Sequence, residues 1–139
     1  MARYVVDASV VLALVLREGY DQVDGFFRAA GLGRDVLFAP QLLFPECTSV
    51  IRRHIYRGSL SPSEGEGNLL LLLGLNIVTT NAPAQFTLAL PLAERMKIRK
   101  AYDLQYLAAA QAEDATLVTI DGGLRQAAIN IKHPVRFLR

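Results

Sequence analysis

Cysteine is nearly absent from this chain. Cys47 is the only one, which excludes an internal disulfide framework and a cysteine-built zinc site. A reducing, cytoplasmic setting is the matching expectation. Histidine is almost as scarce: His54 and His133 read as surface residues rather than ligands or general bases. Neither sign of charge dominates. Fifteen basic against thirteen acidic residues leave a formal charge of +2, too small to mark a nucleic-acid binder by bulk charge, so local charge must carry that question. No apolar run reaches the roughly 20 residues a bilayer span needs. The five leucines Leu69–Leu73 stop at Gly74, and the apolar N-terminal stretch is interrupted by Asp7 without a clean cleavage pattern after it. Internal repeats, linkers, low-complexity segments and a glycine-rich phosphate cradle are also missing.

What is there is a domain-sized core. At 139 residues, 52% hydrophobic and 20% charged, the chain can fold as one domain over 1–139 without staples, and disorder is excluded. A mean hydropathy of +0.26 hints at apolar surface covered by another chain, although a large core accounts for it as well.

The chain is organised around Tyr4-Val5-Val6-Asp7-Ala8-Ser9-Val10. Tyr4–Val6 has the β-branched and aromatic bias of a short buried strand. Val10–Leu16 reads as a helix with Ser9 placed to cap it. Asp7 therefore ends a strand, at the edge where open α/β sheets bind ligands, and a carboxylate between two apolar runs needs a partner. Further helices are expected over Tyr20–Ala30, Leu42–Arg57, Ser61–Gly74, Gln85–Met96, Ala101–Glu113 and Leu124–Ala128. Leu43, Cys47, Val50, Ile51 and Ile55 form the buried stripe of the second of these. Ser61, Pro62 and Glu64 open the third with a capping box. Strands are expected over Val36–Ala39, Asn76–Thr79, Thr116–Ile120 and Val135–Leu138. Five short, apolar strands alternating with helices point to a parallel sheet covered on both faces.

Of the thirteen acids, most stand in polar surroundings. Asp7, Glu46, Asp103 and Asp121 instead fall at strand carboxyl ends or helix starts, which lie on one edge of such a sheet. Taken singly, Glu46 and Asp103 serve equally well as helix-dipole complements, and Asp121 before Gly122-Gly123 as a turn residue. Asp7 is the hardest to explain that way. If the four meet, each pair about 4 Å apart repels by roughly 4 kcal/mol at an effective dielectric near 20, so the cluster holds protons or binds a cation. Oxygen-only donors favour Mg²⁺ or Mn²⁺ over zinc, the equipment for phosphodiester hydrolysis. Arg53 shares the face of Glu46, and Arg99 and Lys100 precede Asp103. These could hold a nucleic-acid backbone, though a solvated surface explains any one of them.

With these residues in view, the chain resembles the PIN-domain nucleases, in particular the VapC-type toxins of toxin–antitoxin pairs. The resemblance covers nearly the whole length. It rests on Tyr4-Val5-Val6-Asp7-Ala8-Ser9-Val10-Val11, on Pro45-Glu46 with Arg52-Arg53 and Arg57-Gly58-Ser59-Leu60-Ser61, on Ala101-Tyr102-Asp103-Leu104-Gln105-Tyr106-Leu107-Ala108, and on Thr119-Ile120-Asp121. It implies an α/β/α sandwich on a five-stranded parallel sheet. It implies Mg²⁺, or Mn²⁺ in its place, held by Asp7, Glu46, Asp103 and Asp121. Ser9 would stand near the metal or its waters, with Thr119 as a secondary support. It further implies an RNA substrate, a homodimer and an antitoxin whose tail enters the acidic groove. Two positions depart from the family's habit: Ser49 stands where Asn is common, and Gly122-Gly123-Leu124 follow Asp121 where another acid or Asn often occurs.

The rival expectations are a non-catalytic PIN-like module that binds RNA or protein, and a phosphoacceptor receiver domain. The latter needs an Asp at the end of its third strand, where this chain has Thr80 and Asn81. The leucine-rich segment Asn68–Leu75 stands equally as subunit interface or buried core.

Overall fold

The computed structural model describes residues 1–33, 35–97 and 104–139. Arg99, Lys100 and Asp103, and the expected helix start at Ala101, lie outside the described residues. The elements run β1 (Arg3–Val6), α1 (Ala8–Val15), α2 (Asp21–Leu32), β2 (Val36–Pro40), α3 (Leu43–Tyr56), α4 (Pro62–Gly74), β3 (Ile77–Thr80), α5 (Pro83–Met96), α6 (Gln105–Ala112), β4 (Thr116–Thr119), α7 (Gly122–Asn130) and β5 (Val135–Phe137).

All five strands pair in parallel, in the order β3-β2-β1-β4-β5. Parallel neighbours require crossover connections, and such connections are right-handed as a general rule. The chain steps outward from β1 to β2 and β3, then jumps back over β1 to β4 and β5, so the early and late helices cover opposite faces. The result is the three-layer α/β/α sandwich expected. β1 lies at its centre, with Val5 and Val6 buried. Its carboxyl end is the point where strand order reverses, and crevices open there in doubly wound sheets.

The helices follow local chemistry. Ser61 and Glu64 make the expected reciprocal capping box. α5 begins at Pro83 rather than Gln85, because a proline needs no N–H partner in the first turn and has its backbone angle pre-set. Ser9 is not the cap of α1. Asp7 holds an extended backbone and accepts from the Val10 N–H, so the carboxylate outcompetes the hydroxyl for that role. The leucine run is mostly not core: Leu72 is buried, while Leu70, Leu71 and Leu73 are exposed. On α3, Leu43, Cys47 and Ile51 are buried as expected.

α6 packs across β1, β2 and β4, and its Leu107 is wholly buried. Leu107→Ala is expected to cost about 2–5 kcal/mol, from lost transfer energy and the cavity left behind, read as a lower denaturation midpoint in urea.

Candidate active site

Three acids face one cleft. β1 ends at Val6, so Asp7 emerges at the sheet's carboxyl edge with its own N–H still bonded to the Val118 carbonyl of β4. β4 ends two residues before Asp121, which caps α7 through bonds from the Gly123 and Leu124 N–H groups to its Oδ1. Asp7 and Asp121 thus flank the reversal point of the sheet. Glu46 comes from the first turn of α3. All three line a cleft of about 220 Å³, with Ser9, Leu104 and Tyr106 among its other walls.

Two hydroxyls tie the acids together. Ser9 Oγ donates to Asp7 Oδ1 at 2.6 Å and accepts from the Ile120 N–H. Thr119 Oγ1 donates to Asp7 Oδ2 at 2.7 Å and accepts from the Asp121 N–H at 2.9 Å. Apart from the Asp7 N–H bond to the Val118 carbonyl, the hydrogen bonds between the first strand end and the fourth run, among the described residues, through these two hydroxyls. The family resemblance implied Ser9 and Thr119 as supports; their place is on the Asp7 carboxylate and the backbone leading to Asp121.

The electrostatics are those of a crowded acid pocket. Burial pushes the Asp7 carboxyl above its ordinary value, against the pull of bonds from Ser9, Thr119 and the Val10 N–H, and the Asp121 carboxylate pushes it further up. Burial also pushes the Cys47 thiol up to about 12, helped by Glu46 and Asp7. Cys47 is therefore an inert core residue at neutral pH, not a nucleophile. Tyr106 was not singled out from the sequence as a site residue. Its hydroxyl is buried without a hydrogen bond of good geometry, and burial and the Glu46 carboxylate both raise its pKa. Its spacing three residues after Asp103 was the available signal, since positions three apart share a helix face.

Among the described residues, no three acidic, histidine or cysteine side chains form a ready metal-holding group. The donor set nevertheless suits a hard cation. It is all oxygen, and it contains a carboxyl whose charge is disfavoured until something positive offsets it, with the Tyr106 hydroxyl buried beside Glu46 in the wall. Arg53 is exposed and does not line the cleft, because seven residues from Glu46 is about 10 Å along a helix.

A family model described as PIN domain matches residues 4–130. The chain belongs to the PIN-domain family. No curated protein matches it in sequence. Its fold is shared with VapBC2 from Rickettsia felis bound to a DNA fragment from their promoter, at a TM-score of 0.74, 13% identity and 99% coverage of both chains. VapBC-1 from nontypeable Haemophilus influenzae superposes at 0.67 with 16% identity over 98% of both chains. PAE2754 from Pyrobaculum aerophilum does so at 0.68 with 21% identity, over 91% of this chain and 86% of the other. The four acids Asp7, Glu46, Asp103 and Asp121 all fall inside the matched PIN region. Among the described residues, no helix is long and apolar enough to cross a membrane.

Proposed function

We propose that this PIN-domain chain, as one domain over residues 1–139, is a Mg²⁺-dependent endoribonuclease and the toxin of a toxin–antitoxin pair. The observation that carries the reading is the convergence of Asp7, Glu46 and Asp121 on one cleft at the sheet's reversal point. Asp103, which lies outside the described residues, would be the fourth acid of the set, as the family resemblance implies. The VapBC assemblies among the similar folds support the toxin reading and an antitoxin partner.

Asp7, Glu46, Asp103 and Asp121 would hold Mg²⁺, or Mn²⁺ in its place. Such an ion supplies a water of lowered pKa and offsets charge on a phosphate. Ser9 and Thr119 fix the Asp7 carboxylate, so that its oxygens cannot turn away when the cleft fills. The Tyr106 hydroxyl offers a donor to a water or substrate oxygen in the cleft. Arg53, Arg99 and Lys100 hold the RNA backbone through its phosphates, without reading sequence. The exposed leucines of α4 provide apolar surface for a second copy of the chain, consistent with a homodimer, and the setting is cytoplasmic.

The test is cleavage of a mixed RNA pool with Mg²⁺, with Mn²⁺ and with chelator. Cleavage that chelator abolishes and added metal restores is the expected result. RNA binding without cleavage at any metal concentration would replace this reading with the non-catalytic module.

A further inference from the structure

A second pocket adjoins the acid cleft. It has a volume of about 180 Å³, and its polar walls are Gln41, Thr80, Asn81, Gln85 and Gln105, with the ring of Phe86 beside them. We infer that this pocket binds a nucleobase of the RNA substrate next to the scissile phosphate; the inference rests on the nuclease reading above.

Position comes first. The registers Val5–Phe38 and Pro40–Thr80 set the carboxyl ends of β1, β2 and β3 side by side. Thr80 therefore stands about 10 Å from Asp7, two strand spacings. The two pockets share a wall, the start of α6. Leu104 and Tyr106 face the acid cleft, and Gln105 between them lines the second pocket. A nucleotide joined to a phosphate in the first would lay its base in the second.

The lining chemistry is that of a base, not of an ion. Among the described residues no charged side chain takes part, and Leu42 and Phe86 add apolar surface to the amides. Amide groups pair donors and acceptors in one plane, as base edges do, and splayed single-stranded bases are read by such groups while stacking on aromatic rings. Phe86 is half exposed and available for stacking, which is sequence-tolerant and strengthens binding by about tenfold or more per base.

The amides are also held in place. Thr80 Oγ1 donates to Gln85 Oε1 at 2.6 Å, and Gln85 Nε2 donates to Gln105 Oε1 at 2.9 Å. Gln85 is 3% exposed and Thr80 8%. This buried relay does not cap α5, which has no side-chain cap. Its far end is the Gln105 NH₂, a donor pair with no bond to any described residue. A buried network that fixes amide planes rigidifies a site, and this one ends on the Gln105 amide in the pocket wall.

The test is a metal-free NMR titration of the ¹⁵N-labelled protein with AMP, CMP, GMP and UMP, read on the side-chain amides of Gln85, Gln105 and Asn81. Ribose 5-phosphate is the control. Shifts of these amides with at least one nucleotide are expected, tenfold tighter than with ribose 5-phosphate. Phe86→Ala should weaken that binding about tenfold with an unchanged backbone spectrum. Equal response to ribose 5-phosphate, or no response to any nucleotide, would overturn the inference. So would a Phe86→Ala variant that changes only the oligomeric state, because the face would then be a protein contact. Nucleotide binding here by a protein that cleaves no RNA leaves the subsite standing and removes the nuclease reading. In the cleavage assay, Gln105→Leu is expected to flatten the base preference at one position beside the cut. An unchanged preference contradicts the inference even where cleavage itself is confirmed.

Discussion

Asp7→Asn is expected to abolish cleavage and, in the absence of metal, to raise thermal stability. The two effects have one cause. The folded protein disfavours the charged form of this carboxyl, so its pKa lies above the ordinary 3.8. The folded state therefore binds a proton that the unfolded chain has already released. Stability from this group is fully present below the unfolded value and is lost as pH rises through the raised folded value. Above the ordinary carboxyl range the protein therefore carries the cost of this group's burial beside Asp121. Asparagine keeps the cap on α1, because its oxygen can still accept from the Val10 N–H and from Ser9. It needs no ionisation, and the Thr119 hydroxyl can turn to accept from its NH₂. For a domain of this size, each kcal/mol recovered moves Tm by about 3–5 °C. Cleavage should fall at least about 100-fold, since changes behind a metal ligand already cost that much. The check is Tm against pH without metal for both proteins, beside the cleavage rate with Mg²⁺. The Asn variant should melt higher at neutral pH, and the gap should close in acid. A lower Tm at neutral pH, or full metal-dependent cleavage, contradicts the account.

The second large effect falls on Thr119. Its side chain is wholly buried and its hydroxyl serves Asp7 and Asp121 at once. Thr119→Val keeps the shape and removes both bonds. The Asp121 N–H then loses its acceptor and Asp7 Oδ2 its donor, in a place that water enters poorly. The expected cost is about 2–3 kcal/mol, the penalty of leaving buried polar groups unpaired. Cleavage should fall about 10–100-fold, because the variant loosens Asp7 without removing it. Thr119→Ser restores the hydroxyl and should recover most of both. A double-mutant cycle with Asp7→Ala, which leaves Thr119 no partner at that position, separates the link from the bulk effect: the two stability losses should be strongly non-additive if they act on one bond. Additive losses would mean that Thr119 contributes packing alone.

The sheet was legible in the sequence because its strands are short apolar runs between helices, and that alternation leaves little choice of architecture. Asp7 was legible because nothing around it explains a charge. The cap of α1 was misread because a serine and a carboxylate two residues apart both suit the role, and only backbone geometry decides between them. Tyr106 escaped notice because tyrosine at helical spacing reads as core, and it is core for all but its last atom. The relay of Thr80, Gln85 and Gln105 was invisible for a different reason. Glutamine is common on surfaces, and 20 residues separate the two amides in sequence. Nothing in composition or periodicity brings such residues together; the parallel register of β2 and β3 and the placement of α6 do.

The central claim is that Asp7, Glu46, Asp103 and Asp121 converge on one divalent cation. Paramagnetic broadening by Mn²⁺ tests it most directly, read on the backbone amides of the ¹⁵N-labelled protein. Substoichiometric Mn²⁺ should erase the signals of Ala8, Ser9, Tyr106 and Gly123 first, and excess Mg²⁺ should restore them. Asp7→Asn and Asp103→Asn should each weaken the effect. Broadening spread over surface carboxylates such as Glu64 and Glu94, with the cleft signals intact, would contradict the account.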